Sequence, residues 1–284
     1  MPDRAQELGK VCDRIRPTAP LGALIGASHP GPTVAVTSIA VLLGIAAGPD
    51  GAGLGLVGFT VLVGQLSIGW SNDWWDVTRD AAAGRSDKPA ARGDIGADVL
   101  RTAALLAVAL VVPLSLVPGW AGVWHLALVA SGWVYNLALK ATPWSPLPYF
   151  VGFAGLPLYV IGVSGTPAPP WMAAAGGLLG VAAHFANAAP DIDADRAAGV
   201  LGLPQRVGAR SSFVTALTLL AGVGVLLLSQ IDLSGWAQVT ALVVVAAPVL
   251  GGLLLVLGSR FGRLLFALVA LAAVADVALL AVAA

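Results

Sequence analysis

Charge is scarce in this sequence. Only 11% of its 284 residues are Asp, Glu, Lys or Arg, against about 25% in an ordinary soluble domain. With 58% hydrophobic residues and a mean hydropathy of +0.88, that scarcity excludes a soluble globule and points to a chain that crosses a membrane several times. Cysteine is almost missing: the single Cys12 excludes an internal disulfide framework. Net charge is missing too. Fifteen basic residues balance fifteen acidic ones, so overall electrostatics gives no reason to expect a nucleic-acid partner. A cleavable leader is not expected, because residues 1–20 are polar and no short apolar core precedes a small-residue cleavage site.

What the sequence has instead is long apolar runs. A bilayer span takes about 20 mostly apolar residues. By that ruler nine spans are expected, near 31–48, 54–76, 97–117, 119–139, 147–164, 171–189, 211–229, 234–257 and 262–283. The links at 49–53, 118–119 and 165–170 are short and rich in Gly and Pro, as turns are. Residues 1–28 mix Asp3, Arg4, Glu7, Lys10, Asp13, Arg14 and Arg16 with a few apolar positions and read as a cytoplasmic amino-terminal arm, partly an interfacial helix. His29-Pro30-Gly31-Pro32 opens the first span, where proline in the first helical turn costs little.

The few charges are placed with a pattern. Arg79, Arg85, Lys88, Arg92 and Arg101 follow span two, and Lys140 follows span four. Arg196, Arg206 and Arg210 follow span six, and Arg260 and Arg263 lie between spans eight and nine. With the arm, every basic residue falls on one side of a nine-span chain. Loops rich in Lys and Arg stay inside, so the amino terminus is expected in the cytoplasm of a cell (inner) membrane protein and the carboxyl terminus outside.

The acids carry the chemistry. Asn72, Asp76 and Asp80 stand at i, i+4 and i+8, a spacing that keeps them on one helix face with a drift of about 40° per step. Asn187, Asp191 and Asp195 repeat the spacing more than a hundred residues later. Both sets lie where an apolar run meets a polar loop on the cytoplasmic side, and charge at the edge of a span is a mark of function. Facing carboxylates suit a hard divalent cation such as magnesium. Each set also runs into a basic loop, the first holding Arg85, Lys88 and Arg92, the second Arg196 and Arg206. Carboxylates with a basic collar suit a metal-bound diphosphate better than a bare cation.

The order N-D-x-x-D-x-x-x-D from Asn72, K-P-x-x-x-G-x-I from Lys88, Tyr135 to Lys140 at the end of span four, and N-x-x-x-D-x-x-x-D-R-x-x-G from Asn187 resembles the UbiA superfamily of intramembrane prenyltransferases, over nearly the whole chain past residue 28. The resemblance implies an all-α integral membrane fold, with nine helices bundled around a central cavity open laterally to lipid. It implies residues 29–284 as one transmembrane domain. It implies an isoprenyl diphosphate donor, a lipophilic or aromatic acceptor drawn from the lipid, and Mg2+ as cofactor. Asn72, Asp76, Asp80, Asp191 and Asp195 match the family's metal positions. Lys88, Tyr135, Lys140 and Arg196 match residues near the diphosphate, with Arg85 beside them. Three features depart from the family pattern: Asp193 adds a third acid to the second motif, Pro190 should bend the helix before Asp191, and Gly202 stands where many relatives have Thr.

Other polar residues invite plainer readings. Asp73 is expected to support the first motif by a hydrogen bond. His184 shares a face with Asn187 and Asp191 and is expected to bond between helices or to line a cavity. His125 and Asp276, inside spans, are expected to be packing residues. Trp70, Trp74 and Trp75 fit either an interfacial belt or cation–π contact with a carbocation. Two other functions stay open at this stage: a terpene cyclase on the same scaffold, which needs the same acids, and a cation transporter. The transporter is disfavoured because the acids gather at one face of the membrane and Asp276 stands alone in mid-span.

Overall fold

The computed structural model describes residues 20–284; Cys12 and the charged part of the amino-terminal arm lie outside the described residues. Within that range the chain is all-helical, with nine helices long and apolar enough to cross a membrane. They are α1 (Pro30–Ala47), α2 (Gly51–Ala82), α3 (Ala97–Leu116), α4 (Gly122–Val134), α5 (Pro146–Val163), α6 (Pro170–Ala188), α7 (Ala209–Leu228), α8 (Gly235–Leu257) and α9 (Arg263–Val282). Their number and order match the nine apolar runs of the sequence. Helices answer the bilayer's main demand, since every backbone polar group in lipid must be paired within the segment.

Two helices depart from simple spans at the ends that matter for function. α2 has 32 residues, six more at its carboxyl end than the apolar run ending at 76, because the acidic motif continues the helix beyond hydrocarbon. α4 ends in a π-helical turn, Tyr135–Leu139, a wide turn often found at functional sites. It delivers Tyr135 and Lys140 to the same end of the bundle.

Close approach is made by small residues, as expected where helices pack without a hydrophobic drive. A Cβ on Gly69 would run into the Ser28 carbonyl, and one on Gly176 into the Phe153 carbonyl of α5. Before α1, a short helix at Pro20–Gly26 lies across the polar loop. Ala23 and Ala27 join Ala90, Ile95 and Leu100 in a small second core with Trp74 and Val77, and Trp70 Nε1 donates to the Leu24 carbonyl at 2.9 Å. Trp70 and Trp74 are therefore partly spent on packing this corner, while Trp75 is exposed.

Contacts between ends show which termini share a face. The start of α1 meets the end of α2 through His29 and Asp73, and the end of α2 meets the end of α4 through Asp76 and Lys140. The residue before α5 meets the end of α6 through Ser145 and His184. Phe213 near the start of α7 stacks on Phe261, just before α9. This is the basic face of the sequence pattern.

Candidate active site

The last turns of α2 carry the first motif. Asn72, Asp76 and Asp80 lie on one continuous helix, as their spacing requires. The acids are buried despite their charge, with Asp73 and Asp76 2% exposed and Asp80 6%. Burial of an ion demands partners, and each acid has a cation. Lys88 Nζ lies 2.9 Å from Asp73 Oδ1 and 2.8 Å from Asp80 Oδ2; the second is an ion contact without hydrogen-bond alignment. Lys140 Nζ and the Arg79 guanidinium both reach Asp76 Oδ2 at 2.5 Å. Asp73 also takes a hydrogen bond from His29 Nε2 at 2.9 Å, the supporting role its position implied. Asn72 accepts from Lys88 at 3.3 Å and donates to Asn136 Oδ1 at 3.0 Å. Burial lowers the affinity of the Lys88 amine for its proton, but the Asp73 and Asp80 carboxylates more than offset this and hold its pKa above the ordinary lysine value.

The second motif does not continue as one helix. α6 ends at Ala188, a single 3-10 turn spans Ala189–Asp191, and a new helix runs Ile192–Ala197. Pro190 is the cause: it has no N–H to donate and its ring crowds the preceding turn. The regular drift expected for an unbroken helix is therefore lost after Asn187. Asn187 and Asp191 are exposed and Asp195 is half-buried. Asp195 accepts from Gln205 Nε2 at 2.7 Å. Asp193, off the shared face, is exposed.

Between the two motifs lies a cavity of about 880 Å³. Its polar end is lined by Asn72, Arg79, Asp80, Arg85, Lys88, Lys140, Asn187 and Asp195. Its deeper wall is Val36, Ile39, Ile68, Leu128, Phe153 and Leu156. Tyr135 and Tyr149 stand where the two regions meet. Tyr149 stacks on the His184 ring at 4.4 Å, and Tyr135 meets Tyr149 edge-on at 5.1 Å. His184 Nε2 bonds to Ser145 Oγ at 2.9 Å, so the histidine bonds between helices and supports the aromatic wall from behind.

The structure thus brings Asn72, Asp80, Lys88, Arg85, Tyr135, Lys140, Asn187 and Asp195 to one cavity. Asp76 lies just behind the wall, held by Lys140. Asp191 and Arg196 are not among its lining residues. Arg196 Nε donates to the Gln205 carbonyl at 2.7 Å, a bond that fixes the loop. Arg85 forms a two-pronged bond to Asp87, and Arg92 binds Asp94. Asn136, Ser145, Tyr149 and Gln205 escape the sequence reading. Asn136, next to Tyr135, binds Asn72 and Ser71 across 64 and 65 residues, and no local pattern announces such a pair. Elsewhere, His125 bonds Ser115 and Asp276 is 1% exposed between helices, both away from the cavity as expected. Among the described residues no three His, Cys, Asp or Glu side chains stand close enough to hold a metal ion by themselves.

Several solved structures share this fold. A UbiA homologue from Archaeoglobus fulgidus, solved with GPP and Mg2+, is 14% identical with a TM-score of 0.69, covering 92% of this chain and 100% of its own. A UbiA homologue from Aeropyrum pernix K1, solved without ligand, is 15% identical with a TM-score of 0.67, covering 86% and 96%. A structure described for digeranylgeranylglyceryl phosphate synthase is 17% identical with a TM-score of 0.67, covering 93% and 97%. At these identities the likeness establishes the fold. No curated protein matches the chain significantly. The profile of the UbiA prenyltransferase family matches residues 33–263, most of the nine-helix bundle and both acidic motifs, and the chain belongs to that family.

Proposed function

We propose that this protein transfers an isoprenyl group from its diphosphate to a lipophilic or aromatic acceptor, with magnesium as cofactor. One observation carries the reading: a cavity with acids and lysines at one end and an apolar wall at the other. That is the polarity of an isoprenyl diphosphate. The homologues solved with GPP and with DMAPP, each with Mg2+, support it by analogy.

The donor set fits magnesium. Asn72 and Asp80 on one side, with Asn187 and Asp195 on the other, line the cavity and offer oxygen ligands, as a hard cation prefers; Asp76 and Asp191, one turn away in each motif, would join them on a shift of their side chains. Because among the described residues no three acids form a cage by themselves, phosphate oxygens would complete the coordination, the usual arrangement for this ion. Bound there, magnesium would neutralise diphosphate charge and favour its departure.

The chain's own residues do the rest. Lys88, Lys140 and Arg85 place positive charge where the leaving diphosphate gathers negative charge. The C1–O bond breaks with its electron pair on the diphosphate, leaving an allylic cation. Tyr135 and the apolar wall keep water from it. A nucleophilic carbon of the acceptor forms the new bond and loses a proton, so donor and acceptor become prenylated product, diphosphate and a proton. Residues 29–284 form the catalytic domain, residues 1–28 a cytoplasmic arm. The site opens to the cytoplasm, and the apolar chain and the acceptor enter from lipid.

The test is incubation of purified protein with geranyl, farnesyl and geranylgeranyl diphosphate, with and without magnesium. Magnesium-dependent diphosphate release, abolished by the Asp76→Ala, Asp191→Ala double variant, is expected. A cyclic product formed without acceptor would assign a terpene cyclase. No release with any donor across an acceptor panel would remove the enzyme reading.

A further inference from the structure

The two motifs hold their acids by different means. Asp73, Asp76 and Asp80 are each met by a cation. Asp195 is met by a neutral amide: Gln205 Nε2 donates to Asp195 Oδ2 at 2.7 Å, and among the described residues no basic side chain forms an ion pair with Asp195. An amide fixes a carboxylate's direction without cancelling its charge. The full negative charge stays available for a cation approaching from the cavity that Asp195 lines.

Gln205 is itself built in. It is 4% exposed, on the short helix Leu203–Val207. Its carbonyl accepts from Arg196 Nε at 2.7 Å, so residues 195 and 196 grip residue 205 at both side chain and backbone. Leu203 N–H, two residues earlier, donates to Ser145 Oγ at 3.0 Å. The amide has one useful orientation, since turning it would set Oε1 against a carboxylate. Gly202 leaves the room it lies in: a Cβ there would sit 2.8 Å from Gln205 Oε1 and from the Lys140 carbonyl. Gly202 is therefore matched to the glutamine.

We propose that Gln205 is a positioning residue that orients Asp195 for metal-diphosphate binding. The inference rests on the function proposed above. Hydrogen-bonded partners of ligating carboxylates set metal affinity, and their loss typically weakens it about 10–100-fold. Gln205 touches neither substrate nor metal in this role, so its removal should act on metal affinity more than on turnover at saturating metal.

The experiment uses the full-length protein in detergent, with Mn2+ as a spectroscopic stand-in for magnesium and an unreactive geranyl thiolodiphosphate as donor analogue. Free Mn2+ is counted by electron paramagnetic resonance. Gln205→Met keeps length and volume without the donor. Gln205→Glu keeps the shape but sets a second carboxylate against the first. Both variants are expected to raise the Mn2+ concentration at half-saturation by at least about 10-fold, while kcat with geranyl diphosphate at saturating magnesium stays within a few-fold of the unaltered protein. Unchanged or tighter Mn2+ binding in the variant or variants that fold would overturn the inference and leave the proposed function standing. If the unaltered protein itself takes up no Mn2+ beside the analogue, the proposed function fails, and the inference with it.

Discussion

Lys140 lies 2.5 Å from Asp76 Oδ2 and also lines the cavity, so one ammonium connects a buried acid to the cavity. If it stabilises the leaving diphosphate, Lys140→Met should lower kcat about 10²–10³-fold, the usual loss when one preorganised donor to a developing anion is removed. Lys140→Arg keeps the charge but not the compact shape and should fall between. Turnover under saturating donor and magnesium measures both, and a Met variant with full kcat would remove Lys140 from the chemistry. Asp87 plays a different part, on the surface of the same loop. The two-pronged bond from Arg85, with the guanidinium charge, holds its carboxyl down at about 2, against an ordinary 3.8. A carboxyl lowered on folding contributes stability that is present above its unfolded value and lost as pH falls through its folded one. The stability difference between Asp87→Asn and the unaltered protein should therefore stay constant from pH 7 to about 5, then shrink as pH falls from about 4 toward 2. Because the pair is largely exposed, the difference should be small. Thermal unfolding in buffered detergent across that range checks it, and a difference that grew on acidification would refute the assignment.

At the level of helices, the break at Pro190 is the most informative local event. It turns the chain between Asn187 and Asp195 through a 3-10 turn, so Asp195 is aimed by the helix Ile192–Ala197 and by Gln205. Pro190→Ala restores an N–H and permits a continuous helix. Stability should hold or rise, while metal-dependent activity should fall as Asp195 leaves the line of Asn72 and Asp80. Unaltered activity would show that the turn does not aim the motif. Packing of α2 gives a second test. Gly69 faces the Ser28 carbonyl so closely that a methyl group cannot enter without backbone movement. Gly69→Ala should destabilise by about 1–3 kcal/mol, the cost of overpacking, read as a lowered unfolding temperature. The nine spans were legible in the sequence because hydrophobic length is a local property that needs no knowledge of neighbours. The first motif was legible because Asn72, Asp76 and Asp80 share one unbroken helix. The bend at Pro190 was legible, but where it would point Asp195 was not. Asn136, Ser145 and Gln205 act through bonds to residues 10 to 68 positions away, and such pairings are set by how helices dock, not by spacing. Arg196 matched a family position, yet its side chain bonds the Gln205 carbonyl, a use that needs the fold of the loop to be known.

Across the whole molecule, an odd number of spans must put the two termini on opposite sides. The basic residues of the described chain lie at the ends joined by His29–Asp73, Asp76–Lys140, Ser145–His184 and Phe213–Phe261. Those contacts join the start of α1 to the ends of α2 and α4, the start of α5 to the end of α6, and the starts of α7 and α9 to each other, and residues of the first two groups together line the polar end of the cavity. Basic short loops are retained in the cytoplasm, so this face, with the donor site, should be cytoplasmic, and the end of α9 outside. On the proposed function, a donor whose head is charged and water-soluble would then reach the lysines without crossing hydrocarbon. Reporter fusions decide the matter. A periplasmic-active phosphatase fused after residue 284 should be active, and the same enzyme inserted in the loop near residue 86 should be silent; a cytoplasmic fluorescent reporter should give the opposite pair. An active phosphatase at both places would break the nine-span arrangement. Activity near residue 86 with silence after 284 would invert the protein and place the diphosphate site on the wrong side of the membrane for a cytoplasmic donor.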